Sequence, residues 1–89
     1  MALNVSVVSP EESLFEGEAS FVRAETVEGE IGILAGHTPL LAQLVDCEVK
    51  ITNSSGSDEL IHIAGGFMTV KDDKVIILAE ETLESEEST

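Results

Sequence analysis

The sequence predicts an all-β domain, an antiparallel β-sandwich or barrel, and three observations support that prediction. Hydrophobic and polar residues alternate with a period of two in most apolar segments, as in half-buried strands. These segments are short and recur about every eight to twelve residues, which is typical of sandwiches and barrels. The breaks between them are rich in Gly, Pro, Asn, Asp and Ser, the residues that form turns. No segment supports a βαβ unit.

The first strand is predicted at residues 3–7, where Leu, Val and Val alternate with Asn and Ser. It ends at Ser9-Pro10-Glu11-Glu12 because Pro10 has no N–H to donate to a neighbouring strand. Ser9 and Glu12 also match a helix capping box, but Gly17 follows too soon for a useful helix. The next alternating segment, residues 21–24, is a second strand and is followed by a tight turn at residues 27–30.

Residues 40–44 fit a helical turn or a strand, and five residues cannot decide between them. Three further strands are predicted at residues 48–52, 61–63 and 68–71. A polar loop at residues 53–57 and a bend or bulge at Gly65-Gly66 separate them. Lys71-Asp72-Asp73-Lys74 predicts a two-residue hairpin turn.

Residues 75–79 are apolar at every position, so this strand is either central in its sheet or covered on its outer face by a partner. The remaining residues are rich in Glu and contain no basic residue, which indicates a solvated tail or a frayed helix. We therefore expect one domain at residues 1–80 and an acidic tail at residues 81–89.

The composition limits the possible partners. The chain has 89 residues, with 18 Asp and Glu against 4 Lys and Arg, for a net charge of −14. The hydrophobic share, 43%, is too high for a disordered acidic chain. The basic residues are scattered, so we expect no binding to nucleic acid and no docking on an anionic membrane. A basic protein surface is the natural complement.

The cysteine and the N-terminus indicate the compartment. Cys47 is the one cysteine, so no internal disulfide forms, and Asp46 and Glu48 beside it should raise the pKa of the thiol. The N-terminus lacks a signal-peptide pattern, and no apolar stretch is long enough to span a membrane. We expect a cytoplasmic protein in which Cys47 is structural or incidental, with no direct membrane insertion.

The residues give no indication of catalysis, of a cofactor or of a metal site. His37 and His62 are far apart and have no ligands at metal-site spacing. No nucleophile elbow surrounds a serine, and no glycine-rich loop forms a phosphate cradle. His62 should lie on a surface face. His37 is either an ordinary loop histidine or a binding residue that a rigid loop, framed by Gly36 and Pro39, presents outward.

Five motifs together resemble a known family. They are V-V-S-P-E at residues 7–11, L-F-E-G at 14–17, T-V-E-G-E-I-G-I-L at 26–34, G-H-T-P-L-L at 36–41 and I-A-G-G-F at 63–67. The chain resembles, from about Leu3 to Glu80, the N-terminal domain of the epsilon subunit of bacterial and chloroplast F-type ATP synthases. The resemblance implies a flattened β-sandwich of two antiparallel sheets. It also implies a non-catalytic central-stalk subunit that rotates with gamma, links it to the c-ring and couples proton translocation to ATP synthesis.

The resemblance further implies which residues make contacts. By position, the c-ring residues are Gly29, Glu30 and Ile31, and the gamma residues are Ser9, His37 and Ala42. The family usually has Thr or another small residue where Ala42 stands. The location implied is peripheral, at the cytoplasmic face of an energy-transducing membrane, the bacterial inner membrane.

The C-terminus departs from the family pattern. Longer members continue with a two-helix hairpin that inhibits ATP hydrolysis or binds ATP, whereas this sequence ends at Thr89 in Glu-Ser repeats. We expect no such regulation here. The chain is either naturally short or cut from a longer one, and residues 82–87 favour the first because they do not resemble the interior of a helix.

Two other classes of β-domain match parts of this sequence pattern. A lipoyl- or biotin-carrier domain is also an acidic β-domain of this size, and it carries its modified lysine at a hairpin tip, where Lys74 lies. Lys74 is near the end of the chain, however, instead of midway between two similar halves. An adhesion sandwich would require a signal sequence or disulfides, and neither is present in the sequence.

Overall fold

The computed structural model describes residues 2–80, and these residues form nine β-strands and no helix. The strands are β1 (Leu3–Val8), β2 (Ser13–Ala19), β3 (Phe21–Thr26), β4 (Gly29–Ile33), β5 (Leu40–Leu44), β6 (Cys47–Thr52), β7 (Asp58–Ile63), β8 (Gly66–Lys71) and β9 (Lys74–Ala79). None of the described residues forms a helix that could cross a membrane.

The strands form two layers that meet at one corner. The hydrogen-bonded order is β2-β1-β9-β8-β5-β3-β6-β7, with β4 beside β3. β5 and β3 are joined by the single pair Thr26–Leu44, so the sheet folds there into a five-stranded layer and a four-stranded layer. The five-stranded layer is β2-β1-β9-β8-β5, and the four-stranded layer is β4-β3-β6-β7. The predicted β-sandwich is confirmed, and all its pairs are antiparallel except β1–β9.

One hydrophobic core fills the space between the layers. Every second residue of β1, β6 and β8 is buried, as the period-two pattern predicted, and β9 alternates in burial although residues 75–79 are all apolar. Both layers supply large side chains that are fully buried, among them Leu3, Ile33, Ile51, Ile63, Met68 and Ile77. Each such side chain contributes roughly 1.5–3 kcal/mol of burial free energy. Among the described residues no polar or charged residue is buried.

Both ambiguous segments, residues 40–44 and 75–79, form strands of the five-stranded layer. Residues 40–44 form a strand, β5, which pairs with β8. β9 is central, because it pairs with β1 on one side and with β8 on the other. Its outer face is nevertheless open, since Ile76 is 41% and Leu78 is 51% exposed.

Two strands, β2 and β4, were missed by the sequence analysis. β2 is an edge strand whose Glu16, Gly17 and Glu18 are exposed, so its apolar content is too low for an alternation signal. β4 contains two glycines, and at Gly32 an added Cβ would meet the Phe21 ring at 2.9 Å. Glycine in β4 therefore makes room for an aromatic side chain of the neighbouring strand.

The predicted turns are present, and glycine or aspartate accounts for their backbone conformations. Gly66 has a φ of 145°, and an added Cβ would collide with the Leu78 carbonyl, so the bend between β7 and β8 requires glycine there. Asp72 and Asp73 have φ values of 52° and 63°, as a two-residue hairpin turn requires. The predicted acidic tail, residues 81–89, lies outside the described residues.

Candidate functional surfaces

Four large hydrophobic side chains lie together on the outer side of the five-stranded layer. We call Leu41, Phe67, Ile76 and Leu78 the apolar face; they are 72%, 41%, 41% and 51% exposed. Strand register places Leu41 opposite Thr69 and Thr69 opposite Ile76, while Phe67 is opposite Leu78. The four side chains thus occupy two adjacent rows across β5, β8 and β9. A contiguous exposed hydrophobic patch of this kind marks an interaction site.

The β3–β4 hairpin presents Glu30 from the other layer. Thr26 closes the turn, because its Oγ1 donates to the Gly29 carbonyl at 2.8 Å and accepts from the Glu28 N–H at 3.0 Å. Gly29 has a φ of 130°, so the turn relies on glycine there. The three predicted c-ring residues follow one another here, but only Gly29 and Glu30 are exposed. Ile31 is half-buried and packs against the core.

Glu30 lies in a mixed electrostatic environment. It stands directly opposite Glu25 on β3, and the Arg23 guanidinium donates a hydrogen bond to its carboxylate. The three side chains line a shallow depression of about 290 Å³ with Glu48, Lys50 and Leu60. Arg23 and Glu30 are about half exposed, so their ion pair adds little stability. Glu30 thus remains available to an external partner.

Ser9, the first predicted gamma residue, organises the turn after β1. Its Oγ accepts hydrogen bonds from the Glu12 N–H at 3.2 Å and from the Glu11 N–H at 3.4 Å. The capping-box match therefore reflects a real side-chain bond, but the bond closes a turn between two strands instead of a helix. Strand register places this turn at the same end of the sandwich as the β3–β4 turn.

His37, the second predicted gamma residue, lies at the opposite end of the sandwich. Its loop is tight: the His37 N–H donates to the Leu34 carbonyl at 3.2 Å, and Nδ1 lies 2.7 Å from the Thr38 carbonyl oxygen. Gly36 adopts a φ of 87°, which agrees with the turn predicted there. The His37 side chain is half-buried, so it is presented outward only in part.

Asp73, which the sequence analysis had placed only in a hairpin turn, fixes this loop. Its carboxylate accepts a hydrogen bond from the Gly36 N–H at 2.7 Å, and its carbonyl accepts one from the Asn4 N–H at 2.8 Å. The β8–β9 turn thereby joins the His37 loop and the start of β1. No local pattern could have revealed this contact, because 37 residues separate Gly36 and Asp73.

Ala42, the third predicted gamma residue, lies on the inner side of β5. It is paired with the buried Met68 and is half-buried, whereas its neighbour Leu41 points outward. Ala42 borders a cleft of about 290 Å³ between β5 and the β3–β4 hairpin, with Thr26, Ile31 and Leu40 among the lining residues. The structure therefore does not bring Ser9, His37 and Ala42 together.

Cys47 and His62, the other two candidates, make contacts within the sandwich. Burial, and secondarily the charges of Glu25 and Asp46, raises the pKa of Cys47, although a hydrogen bond to the Glu25 backbone opposes the shift. The predicted rise in the pKa of the Cys47 thiol is confirmed, but its main cause is desolvation and not the neighbouring carboxylates. His62 is exposed, as predicted, and its Nε2 lies 2.6 Å from Asp46. Among residues 2–80 no three His, Cys, Asp or Glu side chains could hold a metal together.

The hydrogen bond from the Gly36 N–H to the Asp73 carboxylate, here called the tether, can be tested with a matched pair of variants. In Asp73→Gly the turn keeps a residue that accepts positive φ, so only the carboxylate is lost, and we expect the Gly36 amide to exchange its hydrogen about tenfold faster. Asp72→Gly removes the same charge from the same turn and should leave that amide unchanged. Hydrogen exchange followed by NMR measures both rates, and equal rates in the two variants would contradict the tether.

The comparisons with known proteins agree on one family. A family model described as "ATP synthase, Delta/Epsilon chain, beta-sandwich domain" matches residues 2–85. The ATP synthase epsilon chain of Corynebacterium diphtheriae is 48% identical over 86 residues, covering 96% of this chain and 70% of that protein. The epsilon chain of Micrococcus luteus is 51% identical over 77 residues, covering 86% of this chain and 85% of that protein.

Solved structures agree with this result. A chain in the structure of Euglena gracilis mitochondrial ATP synthase, described as OSCP/F1/c-ring, superposes with a TM-score of 0.84 at 28% identity, covering 93% of this chain and 54% of that one. A chain in the central stalk/c-ring structure of Tetrahymena thermophila mitochondrial ATP synthase has the same fold, with a TM-score of 0.74 at 21% identity, over 91% of this chain and 65% of that one. The family match gives no support to the carrier-domain alternative at Lys74. The chain belongs to the delta/epsilon chain family of ATP synthases, whose β-sandwich domain matches residues 2–85.

Proposed function

We propose that this chain is a rotor subunit of the central stalk of an F-type ATP synthase, which links gamma to the c-ring and so couples proton translocation to ATP synthesis. The observation that carries the proposal is the open apolar face on a sandwich of the epsilon type. The related proteins are epsilon chains, and the Euglena structure is described as an assembly of F1 and the c-ring. A closely packed sandwich suits this task because its core transmits strain with little deformation.

Gamma binds, in this proposal, to the apolar face. Leu41, Phe67, Ile76 and Leu78 are large, exposed and adjacent, so a partner that covers them removes hydrophobic surface from water. Buried anchors of this kind provide most of the affinity of an interface. The loops that carry Ser9 and His37 leave the same layer at opposite ends, and Ala42 lines the cleft beside β5, so the three residues would contact gamma at the margins of the face.

The c-ring binds, in this proposal, to the β3–β4 turn through Glu30 and Gly29, with Ile31 supporting the turn from below. Glu30 is an exposed carboxylate, which suits a contact with polar or basic loops. The turn belongs to the four-stranded layer and the apolar face to the five-stranded layer. One domain can therefore hold both partners at the same time.

The proposal assigns the subunit a binding role without catalytic residues, cofactor or metal of its own. In this proposal residues 1–80 are the domain that binds the partners, and residues 81–89 are an acidic tail. The subunit would be peripheral to an energy-transducing membrane, on the cytoplasmic face of the bacterial inner membrane. Its bacterial relatives are subunits of an enzyme complex, and the chemistry belongs to the complex.

Binding to purified gamma tests the gamma contact. Leu78→Thr keeps a residue that favours strands but removes hydrophobic area from the apolar face, so we expect affinity for gamma to fall roughly tenfold. Leu60→Thr is the matched control, because Leu60 is 58% exposed on the outer side of the other layer. Isothermal titration calorimetry measures both. Equal affinities for the two variants, or an unmodified chain that does not bind gamma at micromolar concentration, would contradict the proposal.

A charge reversal tests the c-ring contact. Glu30→Lys places a cation where the proposal requires an anion, and we expect proton-driven ATP synthesis by the reconstituted complex to fall several-fold. Glu59→Lys makes the same charge change on β7 at the opposite end of the sandwich and should leave synthesis unchanged. Reconstituted vesicles provide the measurement, and unchanged synthesis with Glu30→Lys would exclude this contact.

A further inference from the structure

Two of the four basic residues of this acidic chain lie side by side next to the apolar face. Lys71 ends β8, Lys74 begins β9, and strand register places them directly opposite each other. Both are exposed. They share the outward phase of their strands with Phe67 and Thr69 on β8 and with Ile76 and Leu78 on β9. The two lysines therefore form the next row of the same surface, about 7 Å beyond Ile76.

This lysine pair has no ionic partner among the described residues. The ion pairs within residues 2–80 join Arg23 to Glu30, Lys50 to Asp58 and His62 to Asp46. Asp72 and Asp73 lie between the two lysines in sequence, but Asp72 forms no ion pair with either lysine, and Asp73 accepts its hydrogen bond from the Gly36 N–H. Like charges directly opposite each other in a sheet are destabilising. Two lysines that have no ion pair within residues 2–80 are therefore an unfavourable contact that a partner's anion would relieve.

We infer that the partner segment that covers the apolar face carries one or more carboxylate side chains at the end that meets Lys71 and Lys74. This inference rests on the proposed function and specifies the chemistry of the gamma contact. The segment is amphipathic: hydrophobic side chains cover Leu41, Phe67, Ile76 and Leu78, and an acidic group lies about 7 Å farther along β9. The overall charge alone would have suggested a basic partner surface throughout.

The lysine pair also fixes the direction of the bound segment. Hydrophobic contacts on a flat sheet are weakly directional, whereas a charged contact at one end distinguishes the two orientations of a segment. The opposite end of the face has no such cationic pair: Gln43 is opposite Phe67, and Phe67 is opposite Leu78, in the last outward-facing row. Only one orientation therefore pairs the acidic group with the lysines.

Calorimetric titration with purified gamma at low and high salt tests this inference on the full chain. In the double variant Lys71→Gln, Lys74→Gln we expect affinity at low salt to fall roughly tenfold and its dependence on salt to become weaker. The matched control is Lys50→Gln, which removes a cation from the other layer and should change neither quantity. Thermal unfolding of the free double variant checks that it remains folded, so that a loss of affinity reports the contact with gamma.

A second measurement identifies the partner group. Carbodiimide cross-linking of the complex, which joins lysine amines directly to carboxylates, should link Lys71 or Lys74 to an acidic residue of gamma, as read by mass spectrometry.

The outcomes separate the inference from the proposed function. Unchanged affinity in the lysine double variant, or cross-links from these lysines only to a second copy of this chain, would overturn the inference while loss of binding in Leu78→Thr still supports the gamma contact. Failure of the unmodified chain to bind gamma would overturn both.

Discussion

Strand β9 is the element on which both the core and the proposed interface depend. A strand places alternate side chains on opposite faces, so a run that is apolar at every position must supply two hydrophobic surfaces. Val75, Ile77 and Ala79 face the core, and Ile76 and Leu78 face outward. Because β9 pairs with β1 and β8, its backbone hydrogen bonds are made on both sides, and none of the described residues covers its outer face. A partner is the natural cover for that face.

The corner between the layers separates the two candidate contact regions. The layers are joined through one residue pair, Thr26–Leu44, directly beside the β3–β4 turn. The turn that presents Glu30 therefore belongs to one layer, while the apolar face and the lysine pair belong to the other. At the far end, Asp73 joins the His37 loop to the β8–β9 turn. The sandwich thus holds its exposed loops by side-chain hydrogen bonds, which limits how far either contact region can move relative to the core.

Much of the fold could be predicted from the sequence, because half-buried strands leave an alternating pattern. β1, β6 and β8 show that pattern, and the Asp72-Asp73 turn follows from local residue chemistry. β2 and β4 could not be predicted in this way, since an acidic edge strand and a glycine-containing strand bury too little to alternate. The family resemblance came from long motifs around turns and loops, and the comparisons confirm it.

The candidate surfaces could be predicted only in part. The apolar run at residues 75–79 predicted either a central strand or a face that a partner covers, but the continuation of that face through Phe67 and Leu41 depends on strand order. The lysine pair and the Asp73 tether depend on register and on long-range contact in the same way. The resemblance suggested three gamma positions, Ser9, His37 and Ala42. Ser9 and His37 lie at opposite ends of the sandwich, and Ala42 lies in the cleft beside β5. None of these positions therefore located the exposed hydrophobic surface.

Hydroxyl-radical footprinting of the chain with and without gamma tests the central claim most directly, because it reports the solvent access of individual side chains. The account predicts that Leu41, Phe67, Ile76 and Leu78 lose reactivity when gamma is added, while Leu60 on the other layer keeps its reactivity. Protection of Leu60 with no protection of the apolar face would contradict the account.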